Sequence, residues 1–297
     1  MPHHHHAAFG SSLSVFLTLI LVFAALIYLR GWLSLRSSRT EPTSGWRAVS
    51  FLVGLLLIWV GVASPIAALD HRLLTAHMLQ HLLLMTFAPP LIWLAAPVGY
   101  VLHDLPQRLV KSLHAVSWQS PAAKNIAKAV GSRKFAWFAA CAALVGWHIP
   151  TFLALGMKSV EWHLFEQLSF LATGLLFWRP VVQTPEGESQ QDLSMILYLF
   201  FATLPCDILA GFLAFCDRVI YPIYFSSSHS LGFSPLVDQQ CAAALMWTCV
   251  TVVYLLAAAI LTLRLLSPEG APQVALVQTT LAGTAIGHRA TQSQEAC

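Results

Sequence analysis

The sequence predicts an all-α membrane protein, a bundle of seven transmembrane helices with its N-terminus outside and its C-terminus in the cytoplasm. The first observation is the composition. Of the 297 residues, 57% are hydrophobic and only 10% are charged, whereas soluble domains carry about 25% charged residues. The second observation is a series of long apolar stretches, and the third is an uneven distribution of lysine and arginine between the connections.

Seven apolar stretches approach the roughly 20 residues that cross about 30 Å of hydrocarbon. They are residues 11–29, 48–68, 73–97, 135–155, 159–178, 193–216 and 241–265. Pro89 and Pro90 are expected to bend the third span, and Pro205 the sixth, because proline removes a backbone hydrogen bond.

Both ends of the chain are predicted to lie outside the bundle. The opening "MPHHHHAAFG" lacks the positive residues of a signal peptide, and its four histidines fit either a tag remnant or a native metal-gathering tail. The polar, small-residue-rich end is typical of disorder. We therefore divide the chain into a histidine-rich tail at 1–10, a seven-helix transmembrane domain at 11–266 and a disordered tail at 267–297.

Orientation follows from the positive residues. Thirteen of the 16 lysines and arginines lie in the first, third and fifth connections or after the last span, whereas Arg72, Lys158 and Arg218 lie in the alternate connections. Cytoplasmic loops are enriched in lysine and arginine, so the N-terminus is predicted outside and the C-terminus inside. The long third connection mixes basic and apolar residues at helical spacing, which is typical of a helix on the membrane surface.

Several classes of function are not indicated. The net charge is only +3 and no basic run with interleaved aromatic residues occurs, so we expect no nucleic-acid partner. The six cysteines show no CxxC spacing, which argues against a zinc ribbon or a disulfide framework. No nucleophile, base and orienting group form a recognisable set, and we expect no enzymatic activity.

With this orientation, the polar residues inside the spans fall in the outer half of the membrane. "TAHMLQHLLLM" places His77 and His81 one turn apart on one face of the third span. His148 in "GWHIP" ends the fourth span, and His163 in "EWHLFEQLSF" opens the fifth, one turn before Glu166. Because charged groups in the bilayer are costly and normally face the bundle interior, their common depth predicts a shared polar site.

The residue types in this site favour a metal. Imidazole is the commonest metal ligand in proteins, and the predicted ligands are His77, His81, His148 and His163. Imidazole with thioether or thiolate suits copper, while imidazole with carboxylate would also admit zinc or iron. The nearby methionines and cysteines favour copper. Additional candidate ligands, or residues that orient the ligands, are Glu166, Asp207, Asp238, Met246, Cys206 and Cys241.

The ordered motifs resemble a known family. "AHMLQHLLLMTFAPPL", "GWHIP", "HLFEQLSFLATGLLFWRP", "YPIYF" and "DQQCAAALMW" follow one another on the predicted spans. Together they resemble the multi-pass CtaG family, the assembly factors of caa-type cytochrome c oxidase, over residues 45–265. The resemblance matches the four histidines to those of the family, and Asp238 and Met246 to its final motif.

The resemblance implies an integral, multi-pass protein of the cytoplasmic (inner) membrane that helps mature a haem–copper cytochrome c oxidase. Copper would be bound at the outer side and inserted into the oxidase. The expected partners are oxidase subunits, a copper donor protein, membrane lipid and, in addition, a second copy of the chain in a homo-oligomer. The alternatives are a b-type haem-binding or haem-handling membrane protein, because paired histidines also form axial ligands, and a copper transporter.

Two positions depart from the family pattern. Members commonly have Glu-His where this chain has Glu166 followed by Gln167, and Cys206 and Cys241 stand where a small or polar residue is expected. Either a sulfur replaces the missing imidazole, or the residue after the glutamate is not a ligand.

Overall fold

The structure is a computed structural model that describes residues 3–37, 44–97, 121–183, 189–225, 232 and 234–266. All regular secondary structure in these ranges is helical, which confirms the prediction of an all-α protein. The predicted tail at 267–297 and most of the long third connection lie outside the described residues.

Ten α-helices account for most of the described chain. They are α1 (His3–Ser37), α2 (Gly45–Val62), α3 (Leu74–Leu82), α4 (Ala88–Leu94), α5 (Pro121–Val130), α6 (Arg133–Trp147), α7 (Pro150–Gly156), α8 (Val160–Val182), α9 (Ser189–Phe215) and α10 (Pro235–Leu266). A π-helical segment, Leu83–Phe87, joins α3 to α4, and short 3₁₀ turns lie at Ala67–Leu69 and Pro222–Tyr224. α1 begins at His3, inside the stretch assigned to the tail, directly after the proline that commonly precedes a helix.

Four stretches of helix in the described chain are long and apolar enough to span a membrane. They are Ser12–Arg36, Gly45–Leu69, Leu193–Phe215 and Pro235–Arg264. The pair α6 and α7 adds a fifth if the two helices are one broken span. The protein therefore has the helices of a membrane protein, while the count of seven and the sides on which the termini lie stay predictions.

The two remaining predicted spans, 73–97 and 159–178, correspond to interrupted or polar helices. The first is divided into α3, the π-helical segment and α4. The second, α8, carries Glu161, His163, Glu166 and Gln167 in its first two turns, which lowers its hydropathy. Buried residues occur along the whole of α8, so this helix lies inside the bundle, where polar groups find partners.

At Pro89, where a bend is predicted, the α-helix is interrupted by the π-helical segment just before the proline. Proline at position 89 has no N–H to donate to the carbonyl of Met85, which would be its α-helical acceptor. The indole of Trp178 on α8 donates to this carbonyl instead, at 3.1 Å. The freed backbone group is thereby satisfied, and α8 is joined to the centre of the third predicted span.

A glycine allows α8 to approach the same segment closely. A Cβ atom at Gly174 would lie 2.8 Å from both the Cα and the carbonyl oxygen of Met85. Only glycine fits such a contact without a shift of the backbone. The close contact determines the register in which α8 faces α3, and therefore which polar side chains of the two helices meet.

The predicted fourth span is broken at "GWHIP". α6 ends at Trp147, α7 begins at Pro150, and the two helices differ in direction by 85°. Proline restricts the residue before it to extended conformations, and Ile149 is extended, with φ −67° and ψ 127°. The break places His148 at the corner, where its side chain turns into the bundle.

Candidate metal centre

Two histidines one turn apart on α3 form the centre of the site. His77 and His81 are 0% and 5% exposed, and their ring centroids lie 4.2 Å apart. None of their ring nitrogens has a hydrogen-bond partner among the described residues. Since buried polar groups normally have a partner, these nitrogens are unusual and are candidates to bind an ion.

Glu166 on α8 faces both rings. Its Oε1 atom lies 3.4 Å from Nε2 of His77 and 3.4 Å from Nε2 of His81. Ligand atoms bound to one tetrahedral ion at about 2.1 Å lie about 3.4 Å from one another. One ligand atom from each of the three residues lies within 4.8 Å of the others, and all three residues are buried. The spacing therefore suits a single small cation.

His163 lies on the far side of this carboxylate. Its Nδ1 atom is 3.3 Å from Oε2 of Glu166, and its Nε2 atom is 2.9 Å from Oδ2 of Asp70. Gln167, one turn further along α8, places its amide nitrogen 2.8 Å from the same Nε2 atom. His163 thus bridges two carboxylates, an arrangement that typically orients a ligand from outside the metal shell.

Asp70 is a member of the site that is not among the predicted ligands. It follows the 3₁₀ turn Ala67–Leu69, and it is buried. Tyr224 donates its hydroxyl to the carbonyl of Asp70 at 3.0 Å, and Gln80 places its amide nitrogen 3.4 Å from the carboxylate. Burial raises the pKa of Asp70, but the hydrogen bond and charge of His163 outweigh this effect, so the pKa lies below its ordinary value.

A signal for Asp70 was present in the sequence. An Asp-His pair directly after the second apolar stretch is uncommon at a membrane boundary, where an unpaired carboxylate is costly. Gln80 carried a similar signal, because this polar residue lies between the two histidines of the third predicted span. In the structure it is 2% exposed. Neither residue matches a ligand pattern, and both act by holding neighbours in position.

α7 closes the site behind Glu166. A Cβ atom at Gly156 would lie 2.6 Å from Oε2 of Glu166. The carboxylate therefore occupies the space that any other residue at this position would need. Glycine at position 156 therefore leaves room for the Glu166 carboxylate, in addition to lying at the end of α7.

His148 lies next to the group formed by His77, His81 and Glu166. Its ring centroid is 6.1 Å from that of His81. Its Nδ1 atom is 2.6 Å from the carbonyl of Leu144, and its Nε2 atom is 3.2 Å from the sulfur of Met78. Tyr221 donates to its backbone carbonyl at 2.8 Å. The corner is thus held in place, and the ring faces a sulfur rather than Glu166.

Asp238, an additional candidate ligand, caps a helix. Its carboxylate accepts hydrogen bonds from the backbone N–H of Leu74 at 2.7 Å and of Thr75 at 3.0 Å, and from the Thr75 hydroxyl at 2.7 Å. These are the first residues of α3, whose free N–H groups favour a carboxylate. Asp238 therefore ties α10 to the helix that carries His77 and His81.

The other candidates are distributed around the bundle. Cys206 and Met246 are buried and line a cavity beside His81 and His148. Asp207 is partly buried and its Oδ1 atom has no hydrogen-bond partner among the described residues. Cys241 is exposed on α10.

The four predicted histidines thus lie in one buried cluster with unequal surroundings. His77 and His81 lie beside Glu166, His163 lies between two carboxylates, and His148 lies beside a sulfur. Glu166 contributes an atom to the central group, whereas the amide of Gln167 contacts His163. The described part of the chain is therefore helical, with apolar helices able to span a membrane and a buried histidine–carboxylate cluster.

The family follows from comparison with known proteins. The model of the family described as cytochrome c oxidase caa3 assembly factor matches residues 26–267. The chain belongs to this family, which confirms the resemblance noted in its motifs. A comparison with curated proteins finds no match, and neither does a comparison with solved structures.

Proposed function

We propose that this protein is an integral membrane assembly factor that binds copper and helps insert it into a subunit of a haem–copper cytochrome c oxidase. Copper is the cargo in this proposal rather than a resident cofactor. The observation that carries it is the group of ligand atoms from His77, His81 and Glu166, which are buried, close together and without hydrogen bonds. Family membership supplies the oxidase as the partner.

Charge supports a cation at this position. A buried carboxylate carries a large desolvation penalty, and Glu166 is 0% exposed, with only histidine nitrogens at 3.3–3.4 Å from its oxygens. Two neutral imidazoles and one carboxylate would neutralise a monovalent cation and leave one positive charge on a divalent one. Binding therefore removes an electrostatic cost as well as filling the coordination positions.

The site lies towards one end of the bundle, and most basic residues lie towards the other, with Arg72, Lys158 and Arg218 as the exceptions. His163 and Arg179 are on α8 and are separated by 16 residues, or about 24 Å of helix. Arg264 lies in the last turn of α10, whereas Asp238 lies in the first. With most basic residues on the cytoplasmic side, the proposed site would lie nearer the outer face of the cytoplasmic membrane, where a copper donor and an oxidase subunit would approach it.

No feature of the described residues favours the haem or the transport alternative. A bis-histidine haem needs the width of a macrocycle between its ligands, but one Glu166 oxygen lies 3.4 Å from a nitrogen of each ring. The cavity beside His81 has a volume of about 30 Å³, which suits an ion or a water molecule.

Metal content tests the proposal. The full chain with His3–His6 replaced by alanine removes the competing histidine tract, and this background is used for every variant. We expect purified protein incubated with Cu(I) under reducing conditions to retain copper by elemental analysis, and His77→Ala/His81→Ala to retain one copper ion fewer per chain. His288→Ala, at a histidine outside the predicted transmembrane domain, is the matched control and should retain all of the copper.

A cellular measurement tests the second half of the proposal. Cells that lack this chain should contain oxidase with reduced copper content and activity, and His77→Ala/His81→Ala should not restore either. Full retention of copper by the double variant, or full restoration of the oxidase, contradicts the proposal.

A further inference from the structure

A sulfur-rich cavity lies beside the histidine–carboxylate cluster. Its volume is about 30 Å³, and its lining includes Met78, Met85, Cys141, Cys206 and Met246. The five sulfur residues come from α3, the π-helical segment, α6, α9 and α10, so helices distant in sequence contribute them. A cavity of this size holds one ion or one water molecule. We define it as the sulfur cavity.

The ring of His148 lines the sulfur cavity and has the orientation of a metal ligand. The carbonyl of Leu144 lies 2.6 Å from Nδ1, and a carbonyl can only accept, so Nδ1 carries the proton of the neutral ring. Histidine ligands characteristically donate their other N–H to a backbone carbonyl in this way. The Nε2 atom of His148 is then an unprotonated lone-pair donor.

This lone pair faces another lone-pair donor. The Nε2 atom of His148 lies 3.2 Å from the thioether sulfur of Met78, and Met78 is 2% exposed. A thioether has no proton to donate, so the neutral ring and the sulfur have no hydrogen between them. A doubly protonated ring would donate to the sulfur, but no carboxylate contacts His148 in the described chain.

We propose that the sulfur cavity is a second metal site, which binds one Cu(I) ion through Nε2 of His148 and the sulfur of Met78. Cys206 and Met246, at 1% and 3% exposure, supply further sulfur donors from α9 and α10. Thioether and thiol ligands select Cu(I), whereas imidazole and carboxylate also accept harder divalent ions. The choice of copper rests on the proposed function, but the site itself rests on this geometry.

The two sites differ in the chemistry of their ligands. The group of His77, His81 and Glu166 offers nitrogen and oxygen, and the sulfur cavity offers nitrogen and sulfur. His81 lies between them, since its ring is 4.2 Å from His77 and 6.1 Å from His148. The sulfur cavity would therefore hold the reduced ion close to the histidine–carboxylate site.

Probes of different softness separate the two sites. Ag(I) stands in for Cu(I), and Co(II) reports on the nitrogen–oxygen site through its visible spectrum. In full-length protein with His3–His6 replaced by alanine, we expect Met78→Leu/Met246→Leu to weaken Ag(I) binding at least tenfold and to leave Co(II) binding within twofold. Glu166→Gln should have the reverse effect. Retained Co(II) binding also shows that the methionine variant is folded.

Met195→Leu is the matched control, because Met195 is 2% exposed but does not line the sulfur cavity. X-ray absorption of the Cu(I)-loaded Glu166→Gln protein should show sulfur neighbours of the copper. Unchanged Ag(I) binding in the methionine variant, an equal loss in Met195→Leu, or a copper shell of nitrogen and oxygen alone overturns this inference. The proposed function fails separately if His77→Ala/His81→Ala binds as many copper ions per chain as the parent protein.

Discussion

α1 and α8 are both long helices, but they relate to the bundle in opposite ways. The apolar window of α1 has a mean hydropathy of 2.5 and is only 6% buried. α8 has buried residues along its length, carries Glu166, and is not among the helices apolar enough to be a candidate span. Of the four candidate spans in the described chain, the most hydrophobic contributes least to the interior. Strong hydropathy suits contact with lipid, whereas the site requires polar residues that the interior accommodates.

Glu166→Gln should have the largest effect, because it removes the charged ligand from the buried centre. We expect metal affinity to fall at least about 100-fold, since even residues outside the metal shell contribute 10–100-fold. Titration with Co(II), which reports on the nitrogen–oxygen site, measures the change. Glu161→Gln, one residue into the same helix, is the control, and an equal loss there would remove the distinction between the interior and the surface of α8.

Gly156→Ala should have the next largest effect on binding. The new methyl group would lie 2.6 Å from Oε2 of Glu166 and would displace the carboxylate. We expect metal affinity to fall by about tenfold, on the scale of a displaced neighbour of a ligand. Gly146→Ala is the matched control, because nothing lies within 4 Å of a Cβ atom there. Equal affinities in the two variants would show that Glu166 does not need this space.

Asp238→Ala should reduce stability through the loss of the cap on α3. Helix caps contribute about 0.5–2 kcal/mol, and we expect the upper part of this range because the carboxylate accepts three hydrogen bonds at the start of α3. Unfolding in detergent measures the change. Asp217→Ala, at an exposed position, should stay within about 0.5 kcal/mol of the parent. A loss of metal without loss of stability in Asp238→Ala would instead make this residue a ligand.

Phe23→Ala on α1 should have the smallest effect. Its side chain is 65% exposed, and substitutions at such positions usually change stability by no more than about 0.5 kcal/mol. Metal affinity should be unchanged. A change in binding here would show that α1 takes part in the interior, contrary to the comparison with α8.

Local pattern accounts for the parts of the fold and site that could be predicted. The spacing of His77 and His81 brings them onto one helical face whatever the rest of the chain does, and the proline in "GWHIP" breaks the helix through its own geometry. Apolar length likewise predicted the helices α1, α2, α9 and α10. The tertiary structure did not alter these features, because each depends on residues a few positions apart.

Contacts between distant residues could not be predicted in the same way. Asp238 had the features of a ligand, but it caps α3, from which it is separated by more than 160 residues. Asp70 was overlooked because its role depends on His163, on another helix. The position of His148 in the chain indicated a polar site, but not that its ring would face Met78.

The sequence by itself determined the membrane-type composition, the helical class, the paired histidines and the family. Only the tertiary structure decided which atoms meet: Glu166 between two imidazoles, His163 between two carboxylates, and His148 against a sulfur. The physical reason is that helix periodicity and hydropathy are set within a few residues, whereas the meeting of side chains depends on the register and approach of packed helices. In this protein the register and approach of the helices depend on close contacts, such as the contact of Gly174 with Met85.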